Sequence, residues 1–73
     1  MALIDVKSEI TGKVWKIEAA VGAAVAEEEP ILILESMKME IPVLAPGGGK
    51  VKEILVAEGD SVTEGQKVAV LET

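Results

Sequence analysis

The sequence predicts an all-β domain, a sandwich or barrel of many short strands. Three observations predict it. The apolar residues make up 49% of the 73 and are almost all Val, Ile, Leu and Ala, with one Trp and no Phe or Tyr. That palette suits tightly packed strands. The apolar runs are short, about four to eight residues, with turn signals between them, and none carries an i, i+3, i+4, i+7 stripe long enough for a helix. Finally, the chain repeats itself. A shift of 37 residues lays 12–35 on 49–72 without a gap, with ten identities in 24 positions. Two copies point to a pseudo-twofold domain and not to a solenoid array.

Each copy yields the same elements in order. Gly12 and Gly49 start strands rich in β-branched residues, Lys13 to Ala19 and Lys50 to Ala57. A turn follows at Gly22 and at Gly59-Asp60, then a short strand at Val25 and at Val62. A second turn falls at Glu27-Glu28-Glu29 and at Glu64-Gly65-Gln66. The longest strands close each copy, Pro30 to Glu35 and Lys67 to Glu72. Alternation is imperfect: Trp15, Ile17 and Ala19 share one face, and Val14 lies on the other. Either both faces are partly buried or a bulge shifts the register. Trp15 is assigned to the core.

Residues 36–48 join the copies. The strand through Leu34 must turn, and Ile41 to Leu44 is its partner. This gives a hairpin over 35–44 with its tip at Met37-Lys38, opposite the chain termini by the pseudo-symmetry. Pro42 confines the partner strand to an edge or to its start. The tip breaks the usual rule, because two-residue turns favour Asn-Gly or Asp-Gly, both central residues needing φ > 0. Two Met beside an exposed Lys also leave apolar surface in water for no folding gain. A local rule broken at an exposed point hints at function. On spacing alone the alternative stands, an ordinary charged loop with Met as filler.

Composition excludes several classes. Net charge is -6, so a phosphate backbone is repelled and nucleic acid is not an expected partner. With no Cys and no His, disulfides, thiolate metal sites and a Ser-His-Asp device are ruled out. No convergent acid/base set is visible, and the chain is not expected to be an enzyme. The longest uncharged stretch, Ile41 to Gly49, is broken by Pro42, Pro46 and glycines, far from the ~20 apolar residues of a membrane span. No signal peptide is visible. The expectation is one domain over 1–73, soluble and cytoplasmic, without a membrane partner.

At this point the residues become familiar. Glu35-Ser36-Met37-Lys38-Met39-Glu40 resembles the attachment motif of biotin carboxyl carrier domains, most often Glu-Ala-Met-Lys-Met. The family's Val-x-x-Gly-Asp-x-Val-x-x-Gly pattern corresponds to Val56 through Gly65. The resemblance runs from Ile4 to Glu72 and is to the biotinyl/lipoyl attachment family. It implies a flattened barrel of two four-stranded antiparallel sheets about a pseudo-twofold axis. It implies that a biotin protein ligase joins biotin to the Lys38 amine, that biotin carboxylase carboxylates the bound biotin, and that a carboxyltransferase takes the carboxyl group onward. A lysine amine must lose its proton before it can act as a nucleophile, a step left to the ligase.

The neighbours take graded roles. Met37 and Met39 are assigned to contact with the ligase or the cofactor. Glu35 has a counterpart in Glu72, which favours a structural role. Ser36 replaces the commoner Ala, and Glu40 follows the family but is equally suited to plain solvation. The first copy departs from the second at Ala23, which faces Asp60, and at Glu28, which faces Gly65. That turn is expected to be differently shaped or less stable. Gap-free alignment leaves no room for the thumb loop of some bacterial acetyl-CoA carboxylase carriers. The lack of a Pro/Ala-rich linker fits either a free-standing carrier or a domain of a larger chain. Lipoate on Lys38 is the nearest alternative, although lipoyl domains usually carry Asp-Lys-Ala at the tip. An unmodified β interaction module is the third reading.

Overall fold

A computed structural model describes residues 2–73. Eight strands run in chain order: β1 (Leu3–Lys7), β2 (Gly12–Ile17), β3 (Ala24–Val25), β4 (Pro30–Ser36), β5 (Met39–Leu44), β6 (Gly49–Ile54), β7 (Ser61–Val62) and β8 (Lys67–Glu72). They form two four-stranded antiparallel sheets, ordered β1-β8-β6-β3 and β5-β4-β2-β7. Adding 37 to each number carries β1 to β4 onto β5 to β8, and the first sheet onto the second. The repeat in the sequence is therefore a pseudo-twofold axis in space. Each sheet takes two strands from each half, so neither half can fold without the other.

Between the sheets lie Val6, Val14, Val25, Ile31, Leu32, Leu34, Val43, Val51, Val62, Val68, Ala69 and Leu71, all buried. Small and β-branched residues fill this narrow interior, where an aromatic ring would have forced the sheets apart. Pro42 sits on β5, the edge strand, as a residue without an amide donor requires.

The backbone repeats as closely as the sequence. The Gly22 N–H donates to the Val51 carbonyl (2.7 Å), and Gly59 to Val14 (2.8 Å). Glu28 donates to Ala45 (2.8 Å), and Gly65 to Ser8 (2.7 Å). Gly12 and Gly49 are required by close approach: a Cβ would lie 2.8 Å from the Glu35 carbonyl oxygen and 2.7 Å from that of Glu72. The turn at Glu28 is not differently shaped. Glu28 takes φ 67° where Gly65 has 87°, so the first half keeps the geometry and accepts a left-handed non-glycine residue. The turn at Gly22 keeps its backbone bond but lacks a side-chain one: the Ala23 N–H donates to the Ala20 carbonyl as Asp60 does to Ala57 (3.0 Å each), but only the Asp60 carboxylate accepts the Ala57 N–H in return, at 2.9 Å.

Two sequence assignments are corrected. Trp15 is not in the core but 48% exposed. The register of β2 against β4 slips between Val14 and Lys16, and β6 against β8 slips likewise between Val51 and Glu53. Trp15 and Lys52 are the extra residues of matched β-bulges, which turns Val14 and Val51 inward and aims the bulged side chains out. The β2 and β6 strands end at Ile17 and Ile54, two to three residues before the expected ends. At the first of these ends, Glu18 and Ala19 both donate to the Ile31 carbonyl, which closes the ladder. Strand β1 was not drawn from the residue pattern and entered only through the four-stranded sheets of the resemblance.

Candidate functional site

The β4–β5 hairpin pairs Leu34 with Ile41, Glu35 with Glu40 and Ser36 with Met39. Between the last pair stand only Met37 and Lys38, with φ 52° and 64°. Both central residues are left-handed, as a type I′ turn demands and as neither residue favours. The conformation costs about 1–2 kcal/mol per residue. It persists because the hairpin below is fixed by the ladder and by the buried Leu32, Leu34 and Val43. Lys38 thus stands on a rigid post, with its direction set by the fold.

All six motif residues, Glu35 to Glu40, lie on this hairpin. Met37 is 92% exposed and Met39 62%, so neither is core filler. Lys38 is exposed and, among the described residues, makes no ion pair or side-chain hydrogen bond. Ser36 is half-buried, and a Cβ added at Gly12 would lie 3.4 Å from the Ser36 Cβ. Glu35 faces Glu40 on one side and Lys13 on the other. Two like charges directly opposite destabilise a sheet modestly. The hairpin carries that cost, and the left-handed tip, at the same end.

The sequence reading missed Trp15 as a neighbour of this site. Lys13, Val14, Trp15, Glu35 and Gly59 line a hollow of about 240 Å³ on the outside of β2 and β4. The signal was in the repeat: Trp15 occupies the position that Lys52 holds in the second copy.

Chemically the arrangement offers one presented primary amine and no acid/base partner. The Lys38 amine, exposed and clear of neighbours, suits covalent attachment of a carboxylic acid cofactor through an amide.

The family model described as "Biotin-requiring enzyme" matches residues 5–71. The biotin/lipoyl attachment protein of Bacillus subtilis is 43% identical over 62 residues, 85% of each chain. A biotinylated protein TB7.3 homolog of Mycobacterium leprae is 39% identical over 67 residues, 92% of this chain and 94% of that one. Among solved structures, the Kluyveromyces lactis urea carboxylase superimposes with a TM-score of 0.93 at 42% identity, covering 99% of this chain but 6% of the enzyme. The chain thus spans most of its small relatives and a small part of the carboxylases.

Fold and site define a carrier domain, a pseudo-symmetric β-barrel that presents an exposed lysine amine at the tip of a hairpin. The chain belongs to the biotinyl/lipoyl attachment family.

Proposed function

We propose that the chain is a biotin carboxyl carrier loaded at Lys38. A biotin protein ligase deprotonates the Lys38 amine, which attacks the acyl carbon of biotinyl-adenylate. The amide N–C bond forms and AMP leaves. The bound biotin supplies a ureido nitrogen that takes up and releases a carboxyl group. Biotin carboxylase and a carboxyltransferase are the partners that load and unload it. The protein's own part is presentation: a rigid hairpin, a mobile arm, and a raised effective concentration of that arm at each partner. Met37 and Met39 offer the ligase apolar contact on either side of the amine, and Ser36 lets the hairpin close against Gly12.

The observation that carries this reading is the exposed Met37-Lys38-Met39 tip in a left-handed turn. Flanking Met, where Asp and Ala would suit lipoate, supports biotin. The Bacillus subtilis relative, described as a biotin/lipoyl attachment protein, keeps lipoate as the second reading. The test is intact mass after incubation with a biotin protein ligase, ATP and biotin, in parallel with a lipoyl ligase and lipoate. One biotinyl group added, and none on Lys38→Ala, is the expected result. Addition of lipoate only would move the protein to the lipoyl carriers. No addition in either reaction, with the fold intact, would leave an unmodified module.

A further inference from the structure

The pseudo-twofold axis supplies an internal control for the surface beside the tip. In the second half, Glu72 pairs with Lys50 across the sheet and holds the bulge residue Lys52 in an ion pair at 3.8 Å. In the first half, Glu35 pairs with Lys13 in the same way. Its bulge residue is Trp15, however, and Glu35 makes no ion pair among the described residues. The flanking lysine is common to both halves, so it does not account for the difference. What differs is that the second half supplies its own cation beside the glutamate and the first half supplies an aromatic face. Beside them lies the hollow of about 240 Å³ lined by Trp15, Glu35, Lys13, Val14 and Gly59.

We propose that this hollow is a docking site for an arginine side chain of the enzyme that carboxylates the arm on Lys38. A guanidinium is the group that fits the Trp15 and Glu35 walls, with the exposed Lys13, which also lines the hollow, opposing it by charge. It stacks on an indole face and donates two parallel hydrogen bonds to a carboxylate. An ammonium would satisfy Glu35 alone. The net charge of -6 also favours approach of a cationic surface. Position ties the hollow to the arm. Glu35 lies one residue below the closing Ser36–Met39 pair, and Trp15 stands one strand across and further down. With about 3.3 Å per residue and about 4.8 Å between strands, the hollow sits roughly 12 Å from Lys38. A partner that receives the arm covers it. The contact then sets the carrier's orientation while the arm is in the partner's site.

This inference rests on the carrier reading. The experiment uses the biotinylated protein as substrate for the separately expressed biotin carboxylase component of an acyl-CoA carboxylase, following bicarbonate-dependent ATP cleavage. Trp15→Lys gives the first half the second half's own ion pair. It should raise KM for the carrier about tenfold, the scale of one charge-assisted contact, with kcat little changed. Lys52→Trp, the mirror substitution, should leave KM at the wild-type value. Trp15→Phe keeps a π face and should fall between. Thermal melts of each variant show that the fold is kept, since lysine is native to the matching bulge. Equal KM for wild type and Trp15→Lys, or equal losses in Trp15→Lys and Lys52→Trp, would overturn the docking site and leave the carrier reading intact. Failure of the biotinylated wild type to support any ATP cleavage would count against the carrier reading itself.

Discussion

The two halves of the molecule share a backbone and divide the work. In the second half, each turn and the bulge has a residue its geometry favours: Gly65 at a left-handed position, Asp60 capping the Ala57 N–H, and Lys52 at the bulge paired with Glu72. In the first half, the same geometry is built from Glu28, Ala23 and Trp15. The Ser36–Met39 pair that closes the hairpin has its counterpart in Ala2 and Thr73, whose N–H and carbonyl groups bond reciprocally at 3.1 and 2.9 Å. Thus the strained turn carrying Lys38 occupies the place where, in the other half, the two ends of the chain meet. The difference teaches that the fold is specified twice and the function once. Departures from local preference mark the functional half.

If the core belongs equally to both halves, matched cavities should cost the same. Leu34→Ala and Leu71→Ala both remove fully buried side chains. Each should lose about 2–5 kcal/mol, and a domain this small has little to spare. Denaturant unfolding checks this, and a large gap between the two would break the symmetry of the energetics.

A smaller effect separates stability from function. Gly12→Ala and Gly49→Ala each drive a Cβ into a backbone carbonyl and should destabilise by about 1–3 kcal/mol alike. Only Gly12→Ala displaces Glu35 and Ser36, so only it should slow ligase-catalysed biotinylation of the folded fraction. Equal slowing in both variants would show that the hairpin's shape is not what the ligase reads.

Met37→Asn places a residue that tolerates φ > 0 at the tip. It should raise stability by about 0.5–1 kcal/mol while lowering the rate of biotinylation. A stabilised variant modified at the wild-type rate would show that Met37 has no contact role. Smallest of all, Glu28→Gly should stabilise by about 0.5 kcal/mol, the left-handed strain relieved less the added chain entropy, and Gly65→Glu should reverse it. Neither should touch modification, since both turns lie away from the hairpin tip, the Glu28 turn bonding Ala45 at the hairpin's far end.

Much of this was legible in the residues. The 37-residue repeat gave six of the eight strands and the joining hairpin a seventh, while the conflict between Met37-Lys38 and a φ > 0 turn only hinted at a site that the resemblance to the attachment motif then assigned to Lys38. Strand β1 was not legible because Leu3–Lys7 lies outside the contiguous match, although Ile4/Ile41 and Val6/Val43 do repeat there. Edge strands leave a weak pattern. Trp15 was misplaced because alternation assumes an unbroken register. A bulge inverts the facing of every residue on one side of it, and its position is set by how β2 meets β4, which no local pattern records. The lysine at the matching position of the repeat was the available clue.

The most direct test of the account is the location of the modification among the seven lysines, by peptide mapping of protein recovered from cells that express a biotin protein ligase. Biotin on Lys38 alone, with Lys7, Lys13, Lys16, Lys50, Lys52 and Lys67 unmodified in the folded protein, is the predicted result. Biotin on any of those six in place of Lys38, or spread among them, would contradict the claim that the left-handed hairpin tip is what marks one lysine for attachment.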